Sequence, residues 1–109
     1  MNDTDCIFCK IAEGTVPVAK RYDDGQVFAI ADLNPIAPTH LLIIPHAHVD
    51  ALAEAGAARC LALAPAIARL AGVDAGGYRL VVNQGQAAGQ VILHFHMHLL
   101  AGRSLGGMG

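Results

Sequence analysis

Gly89-Gln-Val-Ile-Leu-His94-Phe-His96-Met-His98-Leu-Leu100 is the stretch around which the chain is organised. His94, His96 and His98 alternate with Leu93, Phe95, Met97 and Leu99, which is the period of a half-buried β-strand. One face of that strand, Leu93, Phe95, Met97 and Leu99, is ordinary core. The other carries three imidazoles about 6.5–7 Å apart at a rise of ~3.3 Å per residue. A sheet built for stability alone would place apolar groups there, or charges facing water. A single histidine in such a strand is ordinarily a satisfied core or surface residue, but three in register call for chemistry. Two readings follow: the imidazoles ligate a metal, as strand-borne His-x-His pairs do in zinc hydrolases, or one is a nucleophile that its neighbours orient.

Upstream, Gln84-Gly-Gln-Ala-Ala-Gly-Gln90 lacks the Gly-Lys-Ser/Thr end of a Walker loop. It reads as a glycine-permissive hairpin connection whose amides can face an anion, and its junction with the histidines makes it a candidate phosphate-binding edge. Gly76-Gly77 turns into a strand from Tyr78 to Asn83. Before that, Cys60, Leu63, Ile67 and Leu70 recur at helical spacing, predicting a helix from Ala57 to Ala71, with Pro65 inside and Gly72 ending it. Asp50 is a candidate cap for an earlier start at Ala51, a start that Gly56 interrupts. His40 to Ile44 is an apolar strand stopped by Pro45; His40 has no assigned role beyond a place near the triad on a neighbouring strand. Lys20–Tyr22 and Gln26–Ala31 are strands flanking the Asp23-Asp24-Gly25 turn, and Asp32-Leu33-Asn34-Pro35 breaks the second. Cys9 to Glu13 is a short helical turn closed by Gly14 and Pro17. The expected fold class is α+β: an antiparallel sheet of about five strands with one long and one short helix.

The 109 residues make one domain, 1–109, and 54% hydrophobic content with only 5% aromatic predicts a core rich in small side chains. A net charge of −2 with seven basic residues argues against a nucleic-acid surface, while small anionic ligands remain open. The start, Met1-Asn-Asp-Thr-Asp5, has no signal-peptide pattern, and the longest apolar run, Cys60 to Ala68, is too short to span a membrane. Three cysteines, an odd number, argue against a disulfide framework and suit a reducing cytoplasm. Cys6-Ile-Phe-Cys9 is a redox pair, half of a zinc site, or two inert buried thiols. The redox reading wants a preceding strand, for which five residues leave little room. The zinc reading needs two distant ligands, with His46, His48 and the triad as candidates.

Cys6-Ile-Phe-Cys-Lys10, Ala37-Pro-Thr-His-Leu-Leu-Ile-Ile-Pro45, Tyr78-Arg-Leu-Val-Val-Asn83 and His94-Phe-His-Met-His-Leu-Leu100 occur in order over nearly the whole chain. Together they resemble the histidine triad family of nucleotide hydrolases and transferases, in its nucleotide-binding, phosphoramidase-like branch. The resemblance implies a purine nucleotide derivative as substrate, attacked at its α-phosphorus by His96 to give a nucleotidyl-histidine that water hydrolyses. His98 would serve the leaving group, Asp32 the ribose hydroxyls, and Asn83, Gly89 and Gln90 the phosphate oxygens. Ile7, Phe8, Ile11, Ile30 and Leu33 would form the base slot; the alternative for all five is plain core, and Ile11 and Ile30 read nearly as well that way. The branch with Cys-x-x-Cys implies a structural zinc on Cys6, Cys9, His48 and His94. It also implies a homodimer whose sheet runs on through both subunits. One departure is Val91, where many eukaryotic members have Ser or Thr; the loss of that hydroxyl bears on substrate preference. Two other readings stand beside this one: a non-catalytic nucleotide-binding module, and a metallohydrolase with zinc on His94, His96 and His98.

Overall fold

The computed structural model describes residues 5–108. Helix α1 (Ile7–Glu13) begins two residues before its expected start, because Cys6 is its N-cap and the Cys6 sulfur accepts the Cys9 N–H at 3.4 Å. A thiolate or thiol does here what a hydroxyl or carboxylate does at most helix starts, meeting one of the orphan amides of the first turn. Gly14, at φ 85°, closes the helix.

Strands β1 (Lys20–Asp23) and β2 (Val27–Ala31) form a hairpin. Asp24 Oδ1 accepts the N–H groups of Gln26 and Val27 at 2.9 and 2.8 Å, and these bonds hold the Asp24 carboxyl down at about 2. Strand β3 (Thr39–Pro45), helix α2 (Ala55–Leu70), β4 (Tyr78–Val82) and β5 (Met97–Ala101) complete the set. The five strands make one antiparallel sheet in the order β1-β2-β3-β5-β4, as expected for the fold class.

Both faces of the central strands are buried, which is why β2 and β3 read as unbroken apolar runs. Val27, Ala29, Leu41, Ile43, Met97 and Leu99 pack against Ala57, Cys60, Ala64, Ile67 and Ala68 of α2. On the opposite face, Phe28, Ile30, Leu42 and Ile44 pack against Cys6, Phe8, Cys9 and Ile11 at α1. Paired residues of antiparallel strands share a face, so the Leu42–His98 pairing puts His98 on the α1 side.

Three expectations need correction. Helix α2 starts at Ala55 with Glu54 as its N-cap, not at Ala57 or behind Asp50; the Glu54 carboxylate instead accepts the Asp50 and Ala51 N–H groups at 3.3 and 3.2 Å. Gly56 lies inside the helix because its backbone runs close over β3: an added Cβ would lie 3.1 Å from Pro45 Cβ and 3.2 Å from Val49 Cγ2. Gly72, at φ 75°, follows the Ala71 C-cap as expected.

The triad strand is the third correction. β5 begins only at Met97, so His94 and His96 precede it, and Leu93 is 62% exposed rather than core. The ladder pairs Ile43 with Met97, so the next pair of the same kind would set Phe95 against Pro45. Pro45 has no N–H to offer. The Phe95 N–H turns instead to the Val49 carbonyl, and the Pro45 carbonyl is taken by the His94 ring at 2.7 Å. The chain therefore leaves the sheet where the histidines begin, and their rings are free to take separate directions.

Candidate active site and metal cluster

His94 is fully buried and points into the gap between α1 and the end of β3. The Pro45 carbonyl can only accept, so His94 Nε2 carries the hydrogen and Nδ1 keeps its lone pair. That lone pair faces Cys6 Sγ at 3.3 Å and Cys9 Sγ at 3.5 Å, and Cys9 Sγ lies 3.1 Å from His48 Nδ1. Cys6, Cys9, His48 and His94 thus offer four ligand atoms within 4.8 Å of one another. The donor set is two sulfurs and two imidazole nitrogens, and their separations suit a tetrahedral ion with bonds of about 2.0–2.3 Å. The carbonyl bond that orients His94 is the usual outer support of a metal-binding imidazole. Burial also pushes the His94 pKa down, which favours the neutral ligand form. Of the sequence candidates, His46 is excluded: its Nε2 bonds the Asp23 carboxylate at 2.8 Å.

His96 is half-buried, and its Nδ1 lies 2.9 Å from the His94 carbonyl. That oxygen too can only accept, so Nδ1 carries the hydrogen and Nε2 presents a lone pair. Phe8 packs its ring 5.0 Å from the His96 ring and 5.7 Å from that of His94, which limits ring rotation.

His98, 5.3 Å from His96 between ring centroids, bonds a residue that the sequence left unassigned. His40 Nε2 lies 2.9 Å from His98 Nδ1, and His40 Nδ1 accepts the Ile36 N–H at 3.2 Å. An amide N–H can only donate, so the tautomers follow in sequence. His40 Nδ1 is bare and Nε2 protonated; His98 Nδ1 therefore accepts, and His98 Nε2 carries a hydrogen. Burial pushes the His98 pKa down, keeping the ring neutral so that this tautomer matters. Asp32 Oδ2 also lies 3.3 Å from His40 Nε2. Asp32, His40 and His98 also bring three potential ligand atoms within 4.8 Å of one another, yet the Ile36 N–H holds the His40 hydrogen on the nitrogen that would have to ligate. No metal-ligand cluster among the described residues unites His94, His96 and His98. The three rings serve three different partners, which removes the support for a triad-bound zinc.

The other site residues divide into two groups. Phe8, Ile11 and Ile30 are buried in the α1-side core, whereas Ile7 is 39% exposed and Leu33, next to Asp32 in the chain, is 90% exposed. Asn83 Nδ2 donates to the Ala88 carbonyl at 2.7 Å, and Gln90 accepts from Gly85 N and donates to the Ile92 carbonyl. Both therefore brace the loop, while each amide keeps one further hydrogen. The Gly89 N–H is spent on the Gln86 carbonyl, closing a 3-10 turn over Gln86–Ala88, and Gly89 itself takes φ 88°. His40 was missed because its partner lies 58 residues away; the signal was a buried-strand histidine in an otherwise apolar run.

A family model described as HIT domain matches residues 13–105, a span that begins after Cys6 and Cys9. The purine nucleoside phosphoramidase of Escherichia coli strain K12 is 41% identical over 110 residues, covering 95% of this chain and 92% of that protein. Adenylylsulfatase HINT3 of Arabidopsis thaliana is 42% identical over 103 residues, covering 88% of this chain and 51% of that protein. A solved histidine triad protein from Clostridium difficile superimposes with a TM-score of 0.91 at 39% identity, over 100% of both chains.

Proposed function

The chain belongs to the HIT domain family, and from that membership we propose that it hydrolyses purine nucleotide derivatives at the α-phosphate through a nucleotidyl-histidine on His96. The observation that carries this reading is the His96 ring itself: its Nδ1–H is tied to the His94 carbonyl at 2.9 Å, leaving Nε2 with a lone pair. Nucleoside 5'-phosphoramidates are the favoured class, with acyl-nucleotides and dinucleoside polyphosphates as alternatives.

In the first step the His96 Nε2–phosphorus bond forms and the bond to the leaving atom breaks, with its electron pair departing on that atom. The His98 Nε2–H meets the charge that builds there. In the second step a water oxygen bonds phosphorus, the phosphorus–Nε2 bond breaks, and the nucleoside monophosphate leaves. Overall one proton passes from the water to the leaving group, and His96 is regenerated. Asp32 would accept the two ribose hydroxyls and Leu33 with Ile7 would cover the base from the open side. Phe8, Ile11 and Ile30 would back the slot from the core. Asn83 and Gln90 would turn their remaining amide hydrogens to phosphate oxygens, on a backbone bend that Gly89 permits.

Zinc suits the Cys6–Cys9–His48–His94 donor set, and all four positions being protein-filled makes its role structural. It would lock the His94 backbone whose carbonyl orients His96. Such thiolate ligation fits a reducing, cytoplasmic setting. Among the described residues no helix is long and apolar enough to cross a membrane.

The test is trapping. Incubation with adenosine 5'-phosphoramidate, acid quench and mass spectrometry should reveal an adenylylated peptide containing His96; a wild-type protein that turns over this substrate without such an adduct would overturn the covalent route. The non-catalytic module predicts neither adduct nor turnover.

We also propose a homodimer, because the edge strand β4 is half-buried along its whole length, with backbone groups open to pairing. Light scattering should give twice the 11.3 kDa chain mass at micromolar concentration; a single-chain mass would refute it.

A further inference from the structure

The turn that follows β5 touches the loop that carries Asp32, at a residue remote from the histidines. Gly102, at φ 100°, lies so close to β3's entry that an added Cβ would stand 2.8 Å from Pro38 Cβ and 3.3 Å from Thr39 N. Only glycine accommodates both the backbone angle and the approach. The next residue, Arg103, then sends Nη2 to the Ile36 carbonyl at 3.0 Å and Nη1 to the Ser104 carbonyl at 3.0 Å.

Ile36 is used in two directions. Its carbonyl is held by Arg103, and its N–H is the donor that fixes the tautomer of His40, which fixes that of His98. The same loop is tied at its other end, where the Asp32 N–H donates to the His40 carbonyl at 2.9 Å and Asp32 Oδ1 accepts the Asn34 N–H at 2.8 Å. Remove the Arg103 contact and Ile36, a residue 66% exposed, has little packing to hold its amide on His40. Of the two contacts that set the His40 tautomer, only the Asp32 carboxylate 3.3 Å from Nε2 then remains. That longer contact holds the hydrogen on Nε2 less firmly, and His98 gains the freedom to carry its own on either nitrogen.

We propose that Arg103 is a positioning residue for His98: through Ile36 and His40 it keeps the His98 hydrogen on Nε2, facing the leaving group. The proposal rests on the nucleotidyl-transfer reading for its kinetic consequence, but the tautomer itself exists without substrate. It makes the C-terminal segment a determinant of which leaving groups the enzyme handles. Basic leaving groups such as amines need the Nε2–H; a good leaving group such as 4-nitrophenolate does not.

The test compares wild type, Arg103→Met and Arg103→Lys in two assays. In the kinetic arm, Arg103→Met should lower kcat on adenosine 5'-phosphoramidate about tenfold while changing kcat on the 4-nitrophenyl ester of AMP by less than about twofold. Arg103→Lys, with one donor still able to reach the carbonyl, should recover much of the loss. Equal loss on both substrates, or loss on neither, overturns the proposal. In the spectroscopic arm, ¹⁵N shifts of the His98 ring in the substrate-free protein should report a single Nε2–H tautomer in wild type and a mixture in Arg103→Met. An unchanged tautomer ratio overturns the proposal whatever the kinetics. Failure of the wild type to turn over either nucleotide would remove the functional reading instead, with the ring spectrum still deciding the role of Arg103.

Discussion

His96→Ala should retain nucleotide binding and lose turnover by roughly three orders of magnitude or more, about 4 kcal/mol of transition-state stabilisation. Binding should survive because the ribose, base and phosphate contacts proposed above come from Asp32, from Leu33 with the α1 and β2 residues, and from Asn83 and Gln90. The loss is large because neither neighbour can replace His96. His94 has both nitrogens engaged, Nε2 on the Pro45 carbonyl and Nδ1 toward the cysteines. His98 accepts from His40 on Nδ1 and carries a hydrogen on Nε2, so it presents no lone pair to phosphorus. Single-turnover kinetics and equilibrium nucleotide binding on the same variant separate the two effects. Retention of more than about a tenth of wild-type turnover, a loss under ~1.4 kcal/mol, would remove His96 as nucleophile and bring the binding-module reading forward.

Cys6→Ser and Cys9→Ser should lose bound zinc and destabilise the fold far more than they alter the chemical step. If free zinc stands a thousandfold above its dissociation constant, its binding contributes about 4 kcal/mol to the wild type, and the variants forgo most of it. The loss acts through three elements at once. Cys6 caps α1, Cys9 lies within it, and His94 and His48 flank the point where the chain leaves the sheet after β3. Metal analysis with thermal unfolding checks this; zinc kept at wild-type stoichiometry in either variant would sink the ligand assignment. Serine at position 6 can still accept the Cys9 N–H, so a drop in stability there reports the metal rather than the cap.

Much of this molecule was legible in the chain because its information is local. The Asp23-Asp24-Gly25 turn, the helix closed by Gly72, and the apolar runs of β2 and β3 each depend on neighbours within a few residues. So does the alternation of Phe95, Met97 and Leu99, which keeps those three side chains in the α2-side core. The motif order was equally readable, and with it the family and the antiparallel α+β fold.

What the chain by itself did not determine is where each imidazole points. Period-two spacing predicts three rings on one strand face, but Pro45 ends the ladder from the opposite strand, and a proline's missing N–H has no counterpart in the sequence of its partner. Once the strand is lost before Met97, each ring turns to the nearest complementary atom: His94 to Pro45 and the cysteines, His96 to a carbonyl two residues back, and His98 to His40. The choice of His48 over His46 is of the same kind, since Asp23 competes for His46 from a turn 23 residues earlier. Donor and acceptor roles are set by which group arrives opposite which nitrogen, and that is decided only when distant segments pack. The sequence by itself determined the elements, their order and the residue types of the site; the tertiary structure alone decided the tautomers, because a ring's hydrogen is assigned by its partner in space and not by its neighbours along the chain.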